Sequence, residues 1–237
     1  MSMRVTKLNG DIYEIRTSKP CHLSDVLRIM RENFYYEETM FKSLCANVKI
    51  DDEKKQRINA YFDGTVIAAL EASPCIIAVH KKTGKIVGVN IITVSENPKI
   101  GSKKDGLATI FAVDGAPPVV KKYIEYLSRI NEQVDLFEVF PNVQTMWEFY
   151  AVAIDKDHRK LGLASDLMNF GINIAKQSNV SLVFGVFTSI YSRKSAEKIA
   201  MKSFVEFDLT KYVEPDGRPV FNNIQNDNIV TVMVLEM

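Results

Sequence analysis

The amino-acid sequence predicts a mixed α/β fold, one twisted sheet of about seven strands with helices on both faces. Three observations predict it. Runs of β-branched and aromatic residues alternate with amphipathic runs of helical period along the whole chain. A chain of 237 residues buries about 70% of its unfolded surface, enough for one core, so a single domain over 1–237 is expected. Hydrophobic residues make up 46% and charged residues 25%, proportions that exclude disordered, collagen-like and coiled-coil chains.

The elements follow in order. Ile12, Tyr13 and Ile15 make Asp11 to Arg16 a first strand. Pro20 and Ser24 introduce a helix with Val26, Leu27, Met30 and Phe34 at helical spacing and Ser24 as its candidate N-cap. A second helix is expected over Glu38 to Ala46. A third starts at Asp51 and Asp52, whose carboxylates suit a helix N-terminus, and runs toward Pro74 with Gly64 as its weak point. Cys75 to His80 and Ile86 to Ser95 flank Thr83-Gly84 and read as a hairpin. Glu96 to Gly106 is a polar loop, and Pro117-Pro118 opens a helix to Glu132. Thr145 to Ile154 is a buried strand, followed by a helix from Gly162 to Lys176 with Leu163, Leu167, Phe170 and Ile174 on one stripe. Ser181 to Phe187 is a strand, Ser192 to Lys202 a helix, and Phe204 to Phe207 and Ile229 to Leu235 the last strands. Between these two lie a turn at Asp216-Gly217 and a polar loop over Phe221 to Asn228.

Composition also narrows function. A net charge of +1 leaves no basic stripe for nucleic acid. No apolar run reaches the ~18 residues of a spanning helix, and the first residues carry no run of signal-peptide type. Cys21, Cys45 and Cys75 are scattered without a CxxC, so neither a disulfide framework nor a zinc site is expected and a reducing cytosol is the simplest home. His22, His80 and His158 lack metal-ligand spacing, and no metal is expected. The balanced charge fits a monomer.

One stretch, Tyr150 to Ser165, carries chemistry. A strand ends at Ile154, a short polar turn follows, and Arg159-x-x-Gly162-x-Ala164 opens a helix. First-turn N–H groups have no intrahelical partner, and the helix dipole adds positive charge, so such a start suits a diphosphate. Gly162 lets the backbone approach closely, and Arg159 and Lys160 add charge at the rim. The P-loop and the Gly-x-Gly-x-x-Gly fingerprint are both missing. A plain strand–turn–helix junction is the alternative the local sequence leaves open.

Arg159 to Ala164, placed after a strand, resembles motif A of the GNAT acyl-CoA-dependent N-acetyltransferases. Leu182 to Phe187, running into Thr188-Ser189-Ile190-Tyr191-Ser192, is similar to the second motif of the insect-type arylalkylamine N-acetyltransferases, the dopamine and serotonin acetylating group. Their N-terminal signature is an aromatic pair followed by Asp/Glu-Glu-Pro-Leu, and Phe34-Tyr35-Tyr36-Glu37-Glu38-Thr39-Met40 resembles it. Asp216 to Phe221 also fits. Departures are Thr39 where the family usually has Pro, Ile199-Ala200-Met201 where it has Leu-Gly-Phe, and the stretch at Thr188, near which the family commonly has Ser or Cys. The first of these lies beside the acceptor pocket.

The resemblance implies a GNAT-like sheet, acetyl-CoA as cosubstrate, a small primary amine as acceptor and direct attack in a ternary complex. It places acetyl-CoA on Val152, Ala153 and Ile154 of a splayed strand edge and on Arg159, Lys160, Leu161, Gly162, Leu163, Ala164 and Ser165. Glu38 takes the position of the acidic base, with Glu37 as its confounder. Such a base is needed because an alkyl ammonium, with a reference pKa of about 10.4, has no lone pair to attack with. Thr188 and Ser192 take hydroxyl positions between base and acyl group, and Tyr191 that of an acid for the leaving thiolate. Tyr35, Tyr36 and Phe41, with Trp147 or Phe149, would line an apolar acceptor cleft. Each of these residues also has an ordinary structural role open to it: helix-start carboxylate, N-cap or core aromatic. Two other functions are a protein or polyamine acetyltransferase on the same scaffold and a non-catalytic acyl-CoA-binding module. A polyamine or protein tail favours an acidic cleft, whereas the aromatic residues around Glu38 favour an arylalkyl group.

Overall fold

Seven strands form one sheet in the order β1-β2-β3-β4-β5-β7-β6 in a computed structural model that describes residues 12–46, 48–100, 111, 115–224 and 227–237. The strands are β1 Tyr13–Thr17, β2 Cys75–His80, β3 Ile86–Glu96, β4 Thr145–Ile154, β5 Leu182–Phe187, β6 Lys202–Asp208 and β7 Ile229–Glu236. The helices are α1 Leu23–Asn33, α2 Thr39–Cys45, α3 Asp52–Ala72, α4 Pro118–Glu132, α5 Leu136–Val139, α6 Leu163–Gln177 and α7 Ile190–Glu197. Every neighbouring pair is antiparallel except β4 and β5. A parallel pair needs a crossover connection, and α6 supplies it.

Alternation along each strand divides the apolar residues between two cores. Ile77, Val89 and Ile91 face Ile29, Phe41, Phe62 and Tyr123 of α1 to α4. Ile76, Phe149 and Val183 face Leu163, Leu167 and Phe170 of α6, with Ala196 of α7 beside them. The helices therefore cover both faces, as the sequence predicts.

The differences from expectation lie at element ends. A 3-10 turn, Pro20–His22, precedes α1, so Ser24 falls in the first turn and His22 takes the N-cap. Gly64 does not interrupt α3. A short α5 follows Asp135, whose carboxylate accepts from the Phe137 and Glu138 amides. The last helix starts earlier than expected, at Ile190, because Ser189 caps it. It also ends earlier, before the left-handed Ala200 (φ 66°), which releases the chain into a longer β6. Asp11, the part of the Glu96–Gly106 loop from 101 on, and Gln225 and Asn226 lie outside the described residues.

Candidate active site

The parallel strands β4 and β5 pair only from Met146 to Glu148, against Leu182 to Phe184. Beyond that point β4 continues to Ile154 held by β3, and β5 continues to Phe187 held by β7. The facing edges of Phe149–Ile154 and Gly185–Phe187 thus diverge into a gap. A bulge helps to turn β4 away: Tyr150 is the extra residue between the pairs Phe149–Ile92 and Ala151–Ile91. Gly185 sits where the strands part. A Cβ there would stand 2.9 Å from the Phe187 ring and 3.4 Å from the Phe149 carbonyl oxygen. Val152, Ala153 and Ile154 all lie on the diverging edge.

The turn after β4 is braced from several sides. Asp155 caps a 3-10 turn over Lys156–His158 through the Asp157 amide. Arg159 does not reach outward as a free charge at the rim. Its Nε donates to the Ile154 carbonyl (3.0 Å) and its Nη2 to the Asn33 carbonyl (3.4 Å). Asn33 also accepts the Lys156 amide on Oδ1 (3.1 Å), so the end of α1 holds this turn twice. The Tyr13 hydroxyl and His158 Nδ1 lie 2.8 Å apart and tie β1 to the turn. Lys160 (φ 65°) and Gly162 (φ 81°) are both left-handed. Two such residues within three positions make a tight turn of the kind whose N–H groups converge on anions. Gly162 is the N-cap of α6 and offers no side-chain acceptor to the first-turn amides of Leu163, Ala164 and Ser165. Leu161 is exposed, Leu163 is buried, and the Ser165 hydroxyl donates to the Ser195 carbonyl (2.9 Å), joining α6 to α7.

The opposite side of the gap holds a buried carboxylate. Glu38 is only 8% exposed. It is the N-cap of α2, accepting from the Phe41 amide (2.7 Å) and the Met40 amide (3.2 Å). The hydroxyls of Thr188 and Tyr123 stand beside it and favour its charged form. Burial raises its carboxyl above the usual carboxylate range, and those four donors pull the other way. Glu37 points elsewhere: half exposed, it accepts from Lys42 Nζ (3.0 Å). Burial and the neighbouring Glu38 carboxylate push the Tyr123 phenol well up, so it stays a proton donor. Tyr150 is raised by burial and by Glu148.

Between these groups runs a cleft of about 600 Å³ of open space, mouth included. Its walls include Phe34, Glu38, Tyr123, Glu148, Tyr150, Val152, Thr188 and Ser192. A narrower extension behind Glu38, reaching Tyr35, Phe41 and Phe62, has room for little more than a water molecule.

The structure brings Glu38, Thr188, Ser192 and Val152 together from the residues singled out in the sequence. Ser189 and Ser192 form an N-cap turn, with their hydroxyls 3.0 Å apart. Tyr191 is 77% exposed and does not line the cleft. Tyr35 and Phe41 sit deep in an aromatic cluster with Phe62, and the Tyr35 hydroxyl donates to Asp63 (3.1 Å). Tyr36 lines neither space; its hydroxyl donates to the Lys55 carbonyl (3.4 Å). Trp147 lies in the core beneath α6. Sequence reasoning missed Tyr123, Tyr150, Glu148 and Asn33. Only Glu148 left a readable trace, as a charge in the middle of an apolar strand.

A seven-stranded mixed sheet split between β4 and β5, with a helix starting at the split, is the GNAT-type N-acetyltransferase fold. No protein-family model matches the chain. Among solved structures it is similar to arylalkylamine N-acetyltransferase 2 from Aedes aegypti, with 18% identity and a TM-score of 0.77 over 94% of this chain and 98% of that one. A putative arylalkylamine N-acetyltransferase 7 from the same mosquito gives 18% identity and 0.78 over 100% and 93%. The Drosophila melanogaster polyamine N-acetyltransferase, an enzyme that catalyses formation of N-acetylagmatine, gives 15% and 0.68 over 95% and 100%. At these identities the likeness is one of fold. Among the described residues no helix is long and apolar enough to cross a membrane.

Proposed function

We propose that the chain is an acetyl-CoA-dependent N-acetyltransferase of small primary amines, working as one catalytic unit by direct transfer in a ternary complex. The observation that carries this reading is Glu38, a buried carboxylate that shares one cleft with Thr188 at the mouth of a gap between two parallel strands.

The residues present fit the cosubstrate. The diverging edge of Val152, Ala153 and Ile154 offers backbone groups to a strand-like pantetheine arm, and the amides from Gly162 to Ser165 suit its diphosphate. Lys160 adds charge there, whereas Arg159 shapes the turn through the carbonyls it holds. When bound, acetyl-CoA supplies a thioester: a C–N bond forms to the amine, the C–S bond breaks, and sulfur leaves with the electron pair.

Glu38 takes the proton of the entering ammonium, directly or through Thr188, whose hydroxyl both donates and accepts. Its raised pKa suits this task, because a base works best near the operating pH. Ser192 lies on the same wall as a second hydroxyl. Tyr123 holds the carboxylate in place as a donor. A thiol has a reference pKa of about 8.5, so the thiolate departs without a strong acid, and the exposed Tyr191 is not needed as one. No cysteine lines the cleft among the described residues, which supports direct attack over a covalent relay. Burial pushes Cys45 up to about 11 and Cys75 up to about 12, and both stay thiols.

Phe34, Tyr123, Tyr150 and Phe187 give the cleft aromatic walls that suit an arylalkyl group. One observation favours a polyamine acceptor instead: a second carboxylate, Glu148, on the same wall. A cytosolic monomer completes the proposal. The test follows CoA release with a panel of arylalkylamines, polyamines and histone-like peptides. Turnover of small amines is expected. Turnover of peptides alone overturns the reading, and CoA binding without any turnover makes the chain a binding module.

A further inference from the structure

Glu38 and Thr188 share the cleft, yet they come from distant parts of the chain: one starts α2 and the other stands just before α7. The loop 221–228 touches both of these helices. On α2, the buried Ser43 hydroxyl donates to the Asn222 carbonyl (2.6 Å) and accepts from the Asn222 amide (2.6 Å), so one side chain grips both backbone groups of one residue. On α7, the Ile190 amide donates to Asp227 Oδ1 (2.7 Å). That amide belongs to the first helical turn and has no intrahelical acceptor. Ser189 caps the Ser192 amide in the same turn.

The loop is itself anchored. Phe221 packs edge-on against Tyr126 of α4 (ring centroids 5.2 Å), and Ile224 is buried in the α1–α4 core. Helix α4 also lines the cleft, with the stripe Tyr123, Leu127 and Asn131. The Asp227 amide donates to the Ile224 carbonyl (2.7 Å), and the Asn228 carbonyl accepts from the Leu209 amide (2.8 Å). Asp227 does not line the cleft. Its carboxylate instead meets the positive end of the α7 dipole, a favourable place for a negative charge.

We propose that these loop residues form a strap across the site, with Asp227 as a positioning residue: it holds the start of α7, and with it Thr188, to a loop that Ser43 holds to α2 and Glu38. The inference rests on the acetyltransferase reading above. Asp227 touches no reacting atom and acts through Thr188. Without its carboxylate the first turn of α7 loses an acceptor, Thr188 drifts from Glu38, and the proton path from the ammonium lengthens. The cosubstrate side, Val152 to Ile154 and the turn after β4, is held by β3 and by Asn33 of α1 instead. Tyr123, Tyr150 and Glu148 are the other titratable groups facing the cleft, on α4 and β4, and a change at Asp227 leaves them in place.

The test compares Asp227→Ala with Asp227→Asn. Both remove the charge, and only Asn keeps an acceptor for the Ile190 amide. Asp227→Ala is expected to lower kcat by about tenfold or more, because a small misplacement of reacting groups is costly, and to leave the acetyl-CoA KM within about twofold. Its acid limb is expected to move to higher pH, since Thr188 no longer favours the charged form of Glu38. Asp227→Asn is expected to restore kcat to within about threefold of wild type, a neutral acceptor replacing a charged one. Ser43→Ala cuts the other end of the strap and is expected to repeat the pattern of Asp227→Ala. Equal losses in the Asn and Ala variants overturn the inference. So does an Asp227→Ala variant with wild-type kcat, or one in which kcat and acetyl-CoA affinity fall together. Should neither Ala variant fold, amide exchange in the wild-type protein decides: Ile190 and Asn222 amides as slow as those of β5 uphold the strap, and fast exchange at either overturns it. Failure of the pattern in an active enzyme sinks this inference alone. Absence of turnover with every amine sinks the acetyltransferase reading, and the exchange measurement still judges the strap.

Discussion

The two sides of the β4–β5 gap are built differently. On the α6 side the groups are backbone, and they come from two short stretches, Val152 to Ser165 and the facing edge of β5. On the α1–α4 side they are side chains, and they come from four separate segments: Glu38, Tyr123, the β4 pair Glu148 and Tyr150, and Thr188. A backbone site is set by local conformation, by where a strand ends and where a helix begins. A side-chain site exists only once distant elements pack. The first tolerates substitution except where a backbone angle is special, and the second depends on particular functional groups.

That contrast can be broken most directly at Glu38. Glu38→Gln should lower kcat/KM by about 10²-fold and remove the acid limb of the pH profile. Stability should respond with the opposite sign. The folded-state pKa of Glu38 is raised, so its contribution favours the fold in acid and is lost as pH rises through that raised value. Gln cannot ionise and escapes this loss, so the variant's Tm should fall less than the wild type's between acid and neutral pH. A variant with near wild-type rates would reduce Glu38 to an N-cap.

Gly162→Val tests the backbone side. At φ 81° a β-branched residue is strained, and its side chain crowds the first-turn amides. The KM for acetyl-CoA should rise by about tenfold or more, the equivalent of about 1.4 kcal/mol, with the amine KM little changed. Unchanged cosubstrate affinity would refute the placement of the diphosphate.

Asn33 joins the two sides, because it ends α1 five residues before Glu38 and also holds the Lys156 amide and Arg159. Asn33→Ala should raise the acetyl-CoA KM and lower kcat together, each by about threefold to tenfold, for the loss of a buried hydrogen bond of about 1 kcal/mol. A change in one parameter only would separate the sides. The smallest effect belongs to Tyr191→Phe, expected within about threefold of wild type because a largely exposed hydroxyl is a weak participant. A tenfold loss of kcat would restore its role as an acid.

Legibility in the sequence follows the same division. The strand Thr145 to Ile154 and the Gly162 helix start could be read from periodicity and from one glycine, because both are local. Glu38 and Thr188 were legible through a resemblance of short motifs. Tyr123 was hidden inside an ordinary amphipathic helix, where nothing separates a core tyrosine from one that donates to a carboxylate. Tyr150 needed the bulge, which adds a residue without leaving a pattern. The aromatic pair Tyr35 and Tyr36 looked like a pocket wall, but Tyr35 reaches only the narrow extension behind Glu38 and bonds Asp63, and Tyr36 leans on Lys55 at the surface. Arg159 read as a phosphate ligand from its charge and its place in the Arg-x-x-Gly-x-Ala motif, and only the fold shows the carbonyls it ties.

The central claim is that cosubstrate and amine meet across the gap from opposite faces, and amide hydrogen exchange with each ligand added separately tests it most directly. CoA should slow exchange at Val152–Ile154 and Gly162–Ser165, and an unreactive amine analogue should slow it at Glu38–Phe41 and along the α4 stripe around Tyr123. Protection of one and the same set of amides by both ligands, or protection by CoA away from the Gly162 helix start, would contradict it.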